Sequence, residues 1–193
     1  FLFSQPVLRL RKIKKGSFPV VLFHNDVYTL VINSLFLVTC LRRAITLRCT
    51  LPKYVLAKTM HILVSPSILS ADFAKLGLEV AKMQDAGADY IHIDVMDGQF
   101  VENLTIGAPV VAAIKPHTNV PIDVHLMVVE PKTLVADFVK AGANMITIHQ
   151  ESVYHLDRLL TQIKEHGVRA GVSLCPATHE SNLEYVYEHL DRV

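Results

Sequence analysis

The chain has 193 residues, about half of them hydrophobic, which suits one sizeable domain rather than two. Its formal net charge of +1 hides a division: residues 1–59 carry ten Lys and Arg against the single acid Asp26, and residues 60–193 carry nine against seventeen Asp and Glu. Cys40, Cys49 and Cys175 are odd in number and form no CxxC pair, so neither a disulfide framework nor a Cys-based zinc site is indicated, and a reducing, intracellular setting fits best.

In chain order, the leading segment opens on Phe1 and carries a basic run, Arg9-Leu-Arg-Lys-Ile-Lys-Lys15, and an apolar stretch, Val27–Leu41, interrupted by Asn33 and Ser34. That stretch is short against the roughly 20 residues that span a bilayer, so no membrane role is expected. The basic run has no interleaved aromatics and no nucleic-acid motif. Acid-poor, Arg-containing composition leaves organellar targeting open, but Ser is sparse and no cleavage signal stands out. The reading adopted is an atypical extension over 1–59 that adds nothing to the fold, with translation from a start at Met60 as one origin.

From Met60 the pattern becomes regular. Apolar runs of strand length at 62–66, 90–95, 121–127, 145–149 and 168–174, with a sixth beginning near Leu190, alternate with amphipathic helical stretches at 72–86, 107–115, 131–141, 155–166 and 180–189. Ser70-Ala-Asp-Phe73 supplies helix N-caps, and Asp85-Ala-Gly87 and Lys140-Ala-Gly142 place glycine where helices stop. The phrases Asp85-Ala-Gly-Ala-Asp-Tyr-Ile-His-Ile93 and Lys140-Ala-Gly-Ala-Asn-Met-Ile-Thr-Ile-His149 repeat one helix–glycine–strand unit. Such alternation predicts a parallel sheet with helical crossovers. Val64-Ser-Pro-Ser-Ile68 holds no glycine fingerprint after the first strand, which disfavours a dinucleotide fold. Polar residues toward the strand C-termini favour a (β/α)8 (TIM) barrel instead. Residues 60–193 supply its N-terminal part, truncated after about five βα units.

The chemistry concentrates on two of these strands. In Tyr90-Ile-His-Ile-Asp-Val-Met-Asp97, period-two alternation puts His92, Asp94 and Met96 on one face and Ile91, Ile93 and Val95 on the other. An imidazole beside a carboxylate on a buried strand is costly unless something binds them, and a divalent metal does so. Val120-Pro-Ile-Asp-Val-His-Leu-Met127 repeats the theme with Asp123, His125 and Met127 in phase. Asp123 is a candidate to orient His125. Asp97 suits the turn at Gly98, Cys175 reads as a small residue at a strand end, and His149 and Glu151 read either as pocket-lining residues or as a solvated loop pair.

Ser65-Pro-Ser-Ile-Leu69, His92-Ile-Asp-Val-Met-Asp-Gly98 with Phe100 and Asn103, and Asp123-Val-His-Leu-Met127 together resemble the ribulose-phosphate 3-epimerase family over nearly all of 61–193. The resemblance implies epimerisation of D-ribulose 5-phosphate to D-xylulose 5-phosphate, in the pentose phosphate pathway, through an enediolate. It implies His92, Asp94 and His125 as three of four ligands to one divalent ion (Zn, or Fe, Mn or Co), with Asp94 also an acid/base. Ser67 and His125 would contact substrate, and Met96 and Met127 would line the reaction plane. A phosphorylated ketopentose would be the substrate, in the cytoplasm, with a homo-oligomer as a possible assembly. The family's second catalytic Asp and its phosphate-gripping loops belong to later strands, so the chain as given is expected to be inactive alone. Alternatives are a related ketose-phosphate epimerase such as allulose-6-phosphate 3-epimerase, a hexulose-phosphate synthase, which would not keep the His92/Asp94/His125 set, and an inert fragment.

Overall fold

The computed structural model describes residues 20–24, 27–31 and 63–193. Two short strands of the leading segment, β1 (Val20–His24) and β2 (Val27–Val31), form an antiparallel hairpin. Strand β2 runs parallel to β3 (Leu63–Val64) through the pairs Thr29↔Leu63 and Leu30↔Val64. The basic run at 9–15 lies outside the described residues, as does the remainder of the apolar stretch after Val31.

Four strands, β4 (Ile91–Met96), β5 (Ile122–Met127), β6 (Met145–His149) and β7 (Arg169–Ser173), form a parallel sheet in chain order. Helix α1 (Leu76–Asp85) precedes β4, and α2 (Ala108–Ile114), α3 (Val135–Ala141) and α4 (Leu156–Glu165) make the three crossovers. The segment after β3 flanks β4: His92 N donates to Pro66 O at 2.9 Å, and Ser67 bridges His92 in parallel. At the other edge Gly171 bridges Arg192, with Val172 N donating to Arg192 O at 3.1 Å. Backbone pairing thus continues beyond β7, where the sequence pattern predicts a sixth strand.

The two faces of the sheet differ as the alternation requires. Ile91, Ile93, Ile122, Val124, Leu126, Ile146 and Ile148 are buried and join Val111, Phe138, Leu160 and Ile163 of the helices in one apolar core. Each such side chain contributes about 1.5–3 kcal/mol by leaving water. The opposite face collects His92, Asp94, Asp123, His125, Thr147 and His149, and the apolar layer holds that polar face in place. Asp72 caps a short 3-10 turn at Phe73–Lys75, its side chain accepting from Ala74 N at 3.0 Å, before α1 begins. Gly142 ends α3 at φ +101, a left-handed conformation that favours glycine.

Two predicted elements differ, the first being the strand at 62–66, which is confined to Leu63–Val64 and pairs with β2. The stretch 180–189 forms two 3-10 turns, Glu180–Leu183 and Tyr187–His189, rather than an α-helix. His179 caps the first turn through its ring, and Val186 sits at φ −120, ψ 1, outside helical geometry. The run Tyr185-Val-Tyr187 has poor helix propensity, and Tyr185 is exposed with nothing on the sheet to hold it.

Candidate functional site

Register assembles the site. In the β4–β5 pair His92 lies beside Asp123, Asp94 beside His125 and Met96 beside Met127. The motif His-x-Asp on one strand therefore meets Asp-x-His on the next, so that each imidazole has a carboxylate as its lateral neighbour. His92 Nε2 is 3.2 Å from Asp94 Oδ1, and His125 Nδ1 is 3.5 Å from the same oxygen. The donor atoms of His92, Asp94 and His125 all lie within 4.8 Å of one another. Around one zinc-sized ion with bonds of about 2.0–2.3 Å, tetrahedral ligands stand about 3.3–3.8 Å apart, so this donor set fits a divalent metal.

The remaining valences are fixed from outside. His92 Nδ1 is 2.8 Å from Asp123 Oδ2, a carboxylate with no solvent exposure that also takes Arg192 Nη1. Asp123 therefore orients His92, not His125: adjacency across the ladder overrides phase along the strand. Burial alone would depress the His92 pKa, but the carboxylates of Asp123 and Asp94 outweigh it and raise the pKa to about 10. Asp94 is held well below the usual carboxylate range: burial opposes this, and hydrogen bonds from His125, His92 and Ser67 overcome it. Asp123 is likewise depressed, by His92 and Arg192 against its burial.

Ser67 is buried at the N-cap of the turn Ile68–Ser70, accepting from Leu69 N at 3.2 Å and donating to Asp94 Oδ2 at 2.6 Å. Met96 and Met127 are half-buried partners at the C-terminal end of their strands. Asp97 does serve the turn: its Oδ1 accepts from Gln99 N and Phe100 N, and Gly98 has φ +71. Its other oxygen accepts from Val129 N at 2.9 Å, tying the loop after β4 to the loop after β5.

Thr105 was not singled out by the sequence, and of the two readings left open for His149 the structure favours the pocket-lining one. Thr105 donates to Asp94 O at 2.8 Å and accepts from Met96 N at 3.0 Å, bracing the end of β4. His149 belongs to the site: its Nε2 is 2.9 Å from His125 Nε2, and the rings stack with centroids 5.0 Å apart. Burial, then the neighbouring His125, lowers the His149 pKa to about 4 although Glu151 acts the other way. Cys175 Sγ lies 3.9 Å from His149 Nδ1, and burial followed by Glu151 pushes its thiol up. The signal for His149 was present, since it shares the inner face of β6 with Thr147, itself the register partner of His125.

The fold and donor set thus define a parallel α/β chain with a candidate metal centre built from the inner face of its strands. A family model described as the ribulose-phosphate 3 epimerase family matches residues 63–193, and the chain belongs to that family. It is 55% identical over 134 residues to the "Ribulose-5-phosphate-3-epimerase, chloroplastic" of Arabidopsis thaliana, covering 68% of this chain and 48% of that protein. It is 52% identical over 132 residues to the "Ribulose-phosphate 3-epimerase" of Bacillus subtilis (strain 168), covering 68% of this chain and 61% of that one. The protein of the same name from Escherichia coli (strain K12) is 52% identical over 130 residues, covering 67% of this chain and 58% of its own length. The chain therefore spans about half to three-fifths of the length of these relatives. Among the described residues no helix is long and apolar enough to cross a membrane.

Proposed function

We propose that this chain carries the metal-binding half of a ribulose-phosphate 3-epimerase site, acting on D-ribulose 5-phosphate within a (β/α)8 barrel of which the four-stranded sheet is one wall. The observation that supports this most is the convergence of His92, Asp94 and His125 on one face, with the donor spacing of a single divalent ion. Such an ion, when bound, supplies Lewis-acid stabilisation of charge developing on the sugar oxygens.

The side chains set the rest of the chemistry. Asp123 Oδ2 accepts a hydrogen bond from His92 Nδ1–H, which leaves the Nε2 lone pair directed at the centre. His125 Nε2 faces His149, which leaves Nδ1 for the centre. With both imidazoles presenting lone pairs inward, Asp94 keeps Oδ1 toward the centre and Oδ2 toward Ser67. Asp94 Oδ2, oriented by the Ser67 hydroxyl, then takes the proton from the carbon beside the ketone. Ser67 and His125 contact the substrate, and Met96 and Met127 give that carbon a water-poor surface. Residues 60–193 form this functional part, with residues 1–59 outside it.

The test is deuterium exchange at the epimerised carbon of ribulose 5-phosphate, followed by NMR in D2O with Zn²⁺ or Co²⁺ supplied. It is run on the 193-residue chain and on a version extended to the length of its relatives. Exchange in the extended form that disappears in Asp94→Asn supports the reading. Exchange indifferent to Asp94, or absent from the extended form, refutes it.

A further inference from the structure

A second group of side chains of metal-ligating type stands at the C-terminal ends of β6 and β7. His149, Glu151 and Cys175 have donor atoms that all lie within 4.8 Å of one another. His149 Nδ1 is 3.4 Å from Glu151 Oε2 and 3.9 Å from Cys175 Sγ. Those separations lie near the edge lengths of about 3.3–3.8 Å that zinc ligands keep around one ion. The other groups nearby hold the donors in position without using them up. Glu151 Oε1 accepts from Cys175 N at 2.7 Å and from the Thr178 hydroxyl, which leaves Oε2 for a cation. His149 is pinned at its far nitrogen by His125 and packs against the Phe100 ring at 4.7 Å, so Nδ1 has a fixed direction. Glu151 is exposed, so an ion has a path in and room for a fourth, water ligand.

We propose that His149 Nδ1, Glu151 Oε2 and Cys175 Sγ form a second divalent-metal site, selective for zinc-class ions, that binds in competition with the His92/Asp94/His125 centre. Thiolate and imidazole together favour Zn²⁺ and Co²⁺ over Mg²⁺ or Ca²⁺, which prefer oxygen shells. Binding releases the thiol proton to solvent.

Competition follows from a single proton. His125 and His149 face each other through Nε2 at 2.9 Å, and one hydrogen lies between them. An ion on His149 Nδ1 requires that hydrogen to sit on His149 Nε2 and to be donated to His125. His125 then carries its own proton on Nδ1, the atom facing Asp94, and cannot ligate the first ion. An ion at the first site imposes the opposite arrangement. The competition rests on the first site being a metal centre; the second site by itself does not.

The test is titration of the full chain with Co²⁺ alone, read by the near-ultraviolet thiolate-to-cobalt charge-transfer band. The band is expected in the unsubstituted chain and absent from Cys175→Ser, which keeps Cys40 and Cys49 and retains visible cobalt absorption from the first site as a check on folding. Glu151→Gln, which keeps the thiol, should raise the midpoint for the band. Asp94→Asn, which disables the first site, should keep the band and lower its midpoint about tenfold, within the usual range of site coupling. No band, or one that survives Cys175→Ser, overturns the second site. An unchanged midpoint in Asp94→Asn overturns the competition while leaving the site itself standing.

Discussion

Replacing Asp123 by Asn perturbs the arrangement at an oxygen shared by two buried partners. Asp123 Oδ2 serves two partners at once, His92 Nδ1 at 2.8 Å and the Arg192 guanidinium, and the residue has no exposure to solvent. Asparagine keeps the shape but removes the charge, and its one oxygen cannot answer both donors without turning its NH2 group toward the other. Arg192 is then left as an uncompensated buried cation, a change that typically costs about 3–5 kcal/mol. His92 loses the carboxylate that fixes its tautomer, and loss of such a partner typically weakens metal binding about 10–100-fold. Two assays separate the effects: urea denaturation without metal, and calorimetric Zn²⁺ titration of the folded protein. The double variant Asp123→Asn/Arg192→Leu should recover much of the stability, because the stranded cation is gone, yet should not recover the affinity. Unchanged affinity in both variants would show that Asp123 does not position His92, and unchanged stability in the single variant would show that the Arg192 pair carries no net weight.

Acidification of metal-free protein tests His149, whose folded pKa of about 4 lies below the ordinary 6.5. The unfolded chain takes up that proton first, so the contribution of neutral His149 is full above about pH 6.5 and is lost as pH falls toward 4. Urea midpoints should decline over that window, and His149→Gln should flatten the decline; parallel slopes would contradict the assignment. Gly171→Ala should destabilise by about 1–3 kcal/mol through overpacking, since an added Cβ would meet Thr147 Oγ1 at 2.5 Å. Thermal melts of Gly171→Ala with and without Thr147→Ala check this, with recovery in the double variant expected. Deleting residues 1–59 should lower stability by no more than about 1 kcal/mol, because β2 meets β3 through two residue pairs. Loss of cooperative unfolding on deletion would instead show that the segment packs against the sheet.

The strands were legible because the sequence writes both faces of the sheet. Ile91, Ile93 and Val95 alternate with His92, Asp94 and Met96, and burial by the helices leaves no other register for β4. His92, Asp94 and His125 were legible for the same reason, since each lies on an inward phase, whereas Ser67 was legible only through the family resemblance. What escaped was lateral. Phase along a strand put Asp123 with His125, but side chains two residues apart on one strand are farther from each other than register partners on neighbouring strands. Aligning His-x-Asp with Asp-x-His would have paired Asp123 with His92 directly. Arg192 was beyond such reasoning, because its contact with Asp123 spans 69 residues and depends on how the chain returns to the edge of β7. The predicted helix at 180–189 failed on Tyr185-Val-Tyr187: Leu183, Val186 and Leu190 do reach the core, but from two 3-10 turns, with Tyr185 left exposed.

The inner face of the sheet holds few independent groups, and that constrains how it can work. From one edge, Arg192 fixes Asp123, Asp123 fixes His92, and Asp94 is shared by His92, His125 and Ser67. From the other, Thr178 and Cys175 N fix Glu151, which faces His149, and His149 meets His125. Each imidazole therefore has a protein partner at both nitrogens, one of them a carboxylate of a candidate donor set, and protein partners rather than solvent decide where its protons lie. Asp123 Oδ1 and Thr147 Oγ1 are buried without a hydrogen-bond partner among the described residues. Such orphaned atoms cost stability, yet they lie beside the chain of partners and not within it. Tautomer control at His92 ends in a buried carboxylate–guanidinium pair with no freedom to reverse, whereas at His125 it ends in a neutral histidine whose proton can move. Of the three donors at the candidate centre, His125 is therefore the one whose readiness to ligate can be altered from outside.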